Sequence, residues 1–160
     1  MNLKRIVLGG LVAGIVCFIG DGVVHGVLLQ SRWNDIAAAL HLANSEADQK
    51  ASMVWFLAYD LVKGFAALVV YAMIRPRFGP GPRTAIIAGL LTWALCIPLP
   101  LGGLLPMHFF GRKFALLWSI YGAFPVLLGA IAGAALYRES GDVRTAEKSG
   151  LQASGFKPQA

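Results

Sequence analysis

The chain has few charged residues and few cysteines for its length of 160 residues. Only 14% of its residues are charged, whereas 57% are hydrophobic, and its mean hydropathy is +0.65. Soluble domains carry about 25% charged residues, so this composition is typical of a membrane protein. Its two cysteines, Cys17 and Cys96, provide neither a disulfide framework nor a metal-type spacing. We expect them to be small apolar packing residues.

Signatures of common enzymes are also missing. The sequence contains no glycine-rich nucleotide loop, no nucleophile elbow, no Cys-x-x-Cys pair and no His-Glu-x-x-His motif. No residue pattern specifies a cofactor. We therefore expect a non-enzymatic protein.

Four long apolar stretches make up most of the sequence. At about 1.5 Å per residue, each stretch can cross a hydrocarbon core of about 30 Å as a helix. Transmembrane strands would alternate apolar with polar residues, but runs such as Ala66 to Val70 are continuously apolar. The first stretch follows Lys4 and Arg5 but lacks an Ala-x-Ala cleavage site, so we expect it to remain in the protein. The sequence predicts an all-α bundle with transmembrane helices at 6–29, 51–74, 84–105 and 114–137.

The connections between these helices carry their own signals. Trp33, Ile36 and Leu40 recur at helical spacing and predict a short interfacial helix after the first span. Prolines at 98, 100 and 106 predict that the third helix is broken in its later half. Residues 75–83 predict a tight cationic turn, and residues 138–160 predict a polar tail without fixed structure.

The distribution of cations predicts an orientation. Placing the N-terminus in the cytoplasm leaves few cations outside, as the positive-inside rule requires. The N- and C-termini are therefore both predicted to be cytoplasmic. The predicted external cations are Arg32, Lys50, Arg112 and Lys113, and the predicted cytoplasmic ones are Lys4, Arg5, Arg75, Arg77, Arg83, Arg138, Arg144, Lys148 and Lys157.

Two groups of residues are candidates for contacts with lipid or with other helices. Arg75, Arg77 and Arg83 in the second connection could anchor the span or bind anionic lipid headgroups. Pairs of glycines spaced four apart let helix backbones approach closely in lipid. We expect them to form the intramolecular bundle, with self-association as the alternative. The pairs are Gly10 with Gly14, Gly22 with Gly26, and Gly129 with Gly133.

Ionisable residues inside the apolar stretches are the strongest candidates for a site, because charge is costly in hydrocarbon. Asp21 and His25 are four apart on the first helix, and Asp60 and Lys63 are three apart on the second. From the rise per residue, the two carboxyls should lie at one depth, about 4–5 Å beyond the midpoints of their helices. The sequence predicts a buried polar cluster in the outer half of the bundle.

Three interpretations of this cluster remain open. In the first, Lys63 pairs with Asp60, and Asp21 pairs with Lys63 or His25, so that the charges hold the bundle together. In the second, the cluster relays protons or cations. In the third, Asp21, His25 and Asp60 bind a divalent metal, although the nearby Lys63 would repel it.

Other polar residues are second-rank candidates. His108 follows the broken third helix and could join a metal site, or act with His25 in an enzyme on lipid or quinone. The remaining hydroxyl-bearing candidates are Tyr59, Thr92, Ser119 and Tyr121.

Three segments carry a resemblance to a known group of proteins. They are Leu8-Gly-Gly-Leu-Val-Ala-Gly14, the turn Tyr71-Ala-Met-Ile-Arg-Pro-Arg-Phe-Gly-Pro-Gly-Pro-Arg-Thr-Ala85, and Gly133-Ala-Ala-Leu-Tyr-Arg-Glu139. Together they resemble small bacterial four-helix inner-membrane proteins. The resemblance implies a bacterial inner membrane and transfers no catalytic or binding residue.

The sequence therefore favours an accessory or structural subunit of a membrane assembly. Its expected partners are the lipid bilayer and other membrane subunits or further copies of itself, and no nucleic acid. The alternatives are a small oligomeric proton or cation transporter that uses Asp21 and Asp60, and the membrane enzyme already described.

Overall fold

A computed structural model describes residues 3–41 and 46–137, apart from the side chains at 46, 47 and 49. Within these residues the chain forms six α-helices and no strand. A π-helical turn, Val24–Leu28, continues the first helix, and a 3-10 turn, Leu105–Met107, follows the fifth. The helices are α1 (Leu3–Val23), α2 (Gln30–Ala39), α3 (Glu46–Phe78), α4 (Pro82–Cys96), α5 (Pro98–Leu104) and α6 (Arg112–Leu136).

Four helical segments are long and apolar enough to cross a membrane. Large apolar side chains cover their outer surfaces, where Ile19, Val62 and Leu128 are each more than half exposed. Lipid is the solvent that such a surface requires. The prediction of an all-α, multi-pass membrane bundle is confirmed. The segments are Leu3–Leu28, Lys50–Phe78, Pro82–Met107 and Arg112–Leu136.

The second span ends later than the sequence predicts. Instead of ending at residue 74, α3 continues through Pro76 to Phe78. Pro76 has no N–H to donate to the Ala72 carbonyl, and the helix ends two residues after it. Gly79 then adopts a positive φ of 80°, and its N–H donates to the Arg75 carbonyl at 2.8 Å. This left-handed glycine is a common helix C-terminus, and it shortens the predicted turn to a few residues.

The third span is broken, as the prolines predict. α4 ends at Cys96 and α5 begins at Pro98, with Ile97 between them at φ −120° and ψ −74°. Neither Pro98 nor Pro100 has an N–H to donate to the carbonyl four residues earlier. The carbonyls of Ala94 and Cys96 therefore lose their helical donors, and the chain bends at Ile97.

The first span ends in a way that the sequence does not predict. In the π-helical turn the Leu29 N–H donates to the Val24 carbonyl, five residues earlier, at 2.8 Å. Such a turn holds an additional residue and rotates the following chain by about 100°. The short helix predicted after the first span is present as α2. Trp33 and Ile36 of α2 pack against Leu29 and Phe114.

The four spans form a ring in the order α1, α3, α4, α6, in which α3 and α6 also touch across the centre. We call the end that holds the start of α1 and the end of α6 the terminal end. We call the other end, which holds α2 and the start of α6, the loop end. Small residues fill the core near the terminal end, among them Ala13, Ala72 and Ala88.

Glycines set the contacts of α1 with its two neighbours. A Cβ added at Gly14 would lie 2.7 Å from the Leu61 Cα, and one at Gly129 would lie 2.7 Å from the Ala13 carbonyl oxygen. Gly10 faces Phe65, and Gly133 faces the Gly9 carbonyl, with equally close approaches. These glycines pack the intramolecular bundle, as predicted.

The prediction that Gly22 and Gly26 also pack helices together is wrong for this bundle. Both are exposed, and a Cβ added at either would meet no atom within 4 Å. Gly22 lies eight residues after Gly14, which at 3.6 residues per turn rotates it about 80° away from the packed face. Gly26 lies inside the π-helical turn, where the helical register changes.

Candidate functional site

The structure brings Asp21, Lys63 and Asp60 together into one group, which we call the ionic triad. The Lys63 ammonium binds the Asp21 Oδ2, and it lies 2.6 Å from the Asp60 Oδ1. Lys63 and Asp60 are each only 3% exposed, and Asp21 is 13% exposed. The lysine thus bridges α1 and α3. These are the ion pairs of the first interpretation, in which Lys63 pairs with Asp60 and with Asp21.

Helix geometry explains why these three side chains meet. Asp60 and Lys63 are one turn apart on α3, so their side chains share a face. Gly14 and Gly64 bring the backbones of α1 and α3 into close contact. Toward the terminal end, Gly14 lies two turns from Asp21, and Gly64 lies one turn from Asp60. Asp21 follows Gly14 by seven residues, which is two turns, and therefore faces α3 as well.

The charges of the three side chains in the triad do not sum to zero. Two carboxylates and one ammonium leave one negative charge when all three are ionised. The Asp21 Oδ1 is buried and has no hydrogen-bond partner within 3–41 and 46–137. Tyr59 adds a weaker contact, because the Lys63 ammonium lies 5.2 Å from the centre of its ring.

His25 does not join the ionic triad. Its Nδ1 accepts a hydrogen bond from the Trp33 indole N–H at 3.0 Å, which requires that nitrogen to be unprotonated. The Trp118 ring meets His25 edge to face, with centroids 5.2 Å apart. The π-helical turn begins one residue before His25, and the hydrogen-bond partner of His25 comes from α2 rather than from Asp21. His25 therefore belongs to a separate site.

That separate site is an aromatic cluster at the loop end, formed by His25, Trp33, Phe110, Phe114 and Trp118. Trp33 lies 5.0 Å from Phe114 and 5.2 Å from Trp118 between ring centroids, both in edge-to-face contacts. Along the first span, His25 is about 6 Å nearer the loop end than Asp21. The cluster thus lies between the triad and the loop end on this side of the bundle.

The remaining predicted residues have other neighbours. His108 is exposed in the turn after α5, where it adopts a positive φ of 58°. Tyr121 packs beside the aromatic cluster. Thr92 and Ser119 donate their hydroxyls to carbonyls four residues earlier in their own helices. In the described ranges, no group of three or more His, Cys, Asp or Glu residues is placed to hold a metal ion.

The three arginines predicted to meet lipid headgroups differ from one another. Arg75 is buried, and its guanidinium lies 5.6 Å from the centre of the Tyr137 ring. Tyr137 in turn stacks edge to face on Tyr71 at 5.8 Å. Arg75 therefore packs the terminal end rather than presenting its charge to lipid, whereas Arg77 and Arg83 are exposed.

Several polar contacts escape the sequence analysis. The Tyr59 hydroxyl donates to the Cys96 carbonyl at 3.2 Å, which is the carbonyl that Pro100 leaves without a helical donor. The Trp93 indole donates to the Ser119 carbonyl at 2.8 Å and ties α4 to α6. The Cys17 thiol lies 3.5 Å from the Pro125 carbonyl oxygen. Pro100 is the sequence signal that could have indicated the first of these donors, because a proline leaves the carbonyl four residues earlier without its helical donor.

Fold and site together define a multi-pass α-helical membrane protein with a buried ionic triad. A comparison of the chain with protein-family models, curated proteins and solved structures found no match.

Proposed function

We propose that this chain is a small, non-enzymatic protein of a bacterial inner membrane that serves as an accessory or structural subunit of a membrane assembly. The observation that carries the proposal is the bridging of both carboxylates by Lys63. Charges that bind one another between two closely packed helices are suited to fixing the register of a bundle. They do not present a reactive group to a substrate.

The surface of the bundle agrees with this role. Apolar side chains project outward from each span, and the only helix outside the spans in the described residues is α2, which has ten residues. A partner would therefore meet the protein chiefly inside the membrane, by helix packing. The orientation with both termini in the cytoplasm and the bacterial inner membrane are parts of the same proposal.

Purification from native membranes tests the subunit proposal. The tagged chain should be extracted in a mild detergent and separated by size under conditions that keep large membrane complexes intact. We expect it to elute with at least one other integral membrane protein in a fixed molar ratio. A chain that elutes alone, while the known complexes of the same membrane stay whole, contradicts the proposal.

A second function, proton or cation transport, is favoured by one observation. The triad retains a negative charge when fully ionised, and the buried Asp21 Oδ1 has no partner in the described part of the chain. A proton or small cation would neutralise that charge in a low-dielectric site. Transport would require further copies of the chain or a groove between them, because four helices leave little room for a pore.

Asparagine variants separate these two functions. Asp21→Asn and Asp60→Asn, alone and together, are compared with the wild type for ion flux in proteoliposomes and for thermal stability in detergent. The subunit proposal expects changed stability and no flux in any sample. Wild-type flux that is lost in the variants at unchanged stability would overturn it in favour of transport.

A further inference from the structure

A shallow groove of about 200 Å³ lies at the loop end, between α2 and the start of α6. Its apolar lining comes from Ile36 of α2 and from Phe114 and Leu117 of α6. Three charged residues, Arg32, Asp35 and Lys113, also line it. The groove therefore combines cations, a carboxylate and an apolar surface in one small space, and no residue of the ionic triad lines it.

The three charges in the groove are available to a ligand. Arg32, Asp35 and Lys113 are all exposed. Arg32 and Asp35 are three apart on α2, where helical neighbours of opposite charge can pair. Nevertheless, no ion pair joins any of the three to another residue in the described part of the chain. Two cations and one carboxylate thus remain to meet a partner that carries both signs of charge.

The position of the groove indicates the kind of partner. Phe114 lines the groove and also packs against Trp33 in the aromatic cluster. Tryptophans in membrane proteins concentrate where the hydrocarbon meets the polar headgroups. At that depth a phospholipid presents its phosphate, its amine and the first carbons of its acyl chains together. This chemistry matches the lining of the groove more fully than a soluble anion does.

We propose that the groove binds the headgroup of an aminophospholipid of the phosphatidylethanolamine type. Arg32 and Lys113 bind the phosphate, and Asp35 accepts hydrogen bonds from the primary ammonium. The glycerol and upper acyl carbons lie on Ile36, Phe114 and Leu117. The site is independent of the ionic triad and of the subunit proposal.

Native mass spectrometry of the detergent-purified protein tests this assignment, because it resolves each bound lipid. The probes are phosphatidylethanolamine and phosphatidylcholine with the same acyl chains, and phosphoethanolamine and inorganic phosphate without them. We expect phosphatidylethanolamine to bind about tenfold more tightly than phosphatidylcholine, because the trimethylammonium group of phosphatidylcholine has no N–H to donate to Asp35. Neither chain-free probe should displace it at equal concentration.

Single substitutions identify the residues that bind. Asp35→Asn should make the two lipids bind alike, and Lys113→Gln or Arg32→Gln should weaken both. Arg112→Gln is the matched control, because Arg112 is an exposed cation next to Lys113 that does not line the groove. Thermal unfolding of each variant without added lipid checks that the bundle is intact.

Three results would overturn the proposal. The first is equal binding of the two lipids by the wild type, and the second is an equal loss in Arg112→Gln and Lys113→Gln. The third is displacement of the lipid by inorganic phosphate at equal concentration, which would make the groove a site for soluble anions.

Discussion

The two halves of this bundle are held together by different kinds of contact. Near the terminal end the helices meet through small residues, such as Gly133 against the Gly9 carbonyl and Ala13 in the core. Near the loop end they meet through the ionic triad and the aromatic cluster. The terminal half needs few polar contacts because its backbones approach closely.

Helix regularity accounts for one part of this difference. The irregular segments of the described spans fall in the loop half. They are the π-helical turn, the break at Ile97 and the 3-10 turn. An irregular helix leaves carbonyls without donors, and in lipid these must be satisfied by side chains. Tyr59 does so for Cys96. In the terminal half the helices are joined by close packing of small residues, whereas the broken third span draws the Tyr59 hydroxyl to a freed carbonyl.

The largest effect should come from removing the cation of the ionic triad. Lys63→Met leaves two buried carboxylates without a partner, so we expect a loss of about 3–5 kcal/mol in the free energy of unfolding. The measurement is denaturation by sodium dodecyl sulfate, followed by circular dichroism. The triple variant Asp21→Asn, Lys63→Met, Asp60→Asn removes every charge and should lose less. Wild-type stability in Lys63→Met would show that the triad does not hold the loop half.

A smaller effect should follow from disturbing the close packing of the terminal half. In Gly133→Ala the new Cβ would lie 2.5 Å from the Gly9 carbonyl oxygen, so the helices must separate. We expect a loss of about 1–3 kcal/mol in the same unfolding assay. Gly22→Ala is the control, because its Cβ would meet nothing within 4 Å. Equal stability of the two variants would contradict the assigned contact.

The aromatic cluster should contribute less than the triad. Trp33→Phe keeps a ring but removes the N–H that His25 accepts, so we expect a loss of about 1 kcal/mol. Trp55→Phe serves as the control, since Trp55 is 76% exposed on α3. Thermal unfolding in detergent compares the two. If both variants unfold at the wild-type temperature, the indole hydrogen bond contributes nothing to the loop half.

The smallest effect should come from the Tyr59 hydroxyl, which donates to the Cys96 carbonyl that Pro100 leaves without a helical donor. Tyr59→Phe removes the hydrogen bond to Cys96, and we expect a loss of about 0.5 kcal/mol because Tyr59 is half exposed. In a Pro100→Ala background the new N–H can bind the same carbonyl. The loss from Tyr59→Phe should then vanish in a double-mutant cycle of unfolding free energies. An undiminished loss would mean that the hydroxyl serves another group.

Part of the candidate site could be predicted because it depends on distance along single helices. Asp21 and Asp60 were expected at one depth from the rise per residue, and both bind Lys63. The spacing of four residues also groups His25 with Asp21. His25 instead accepts a hydrogen bond from Trp33 of α2, and spacing along one helix does not indicate a contact with another helix. The exposure of Gly22 and Gly26 could not be predicted, because the spacing of glycines does not indicate which side of a helix a neighbouring helix covers.

The number of spans, the helix after the first span and the break in the third can be read from the sequence. They follow from apolar length, from apolar residues at helical spacing and from proline lacking an N–H. Which side chains meet across helices depends on how the helices pack. The rotation of each helix about its axis depends on how closely its small residues let a neighbour approach, and one additional residue in a turn changes it by about 100°. The packing of α1 against α3 joins Lys63 to two carboxylates, and the packing of α2 places Trp33 against His25.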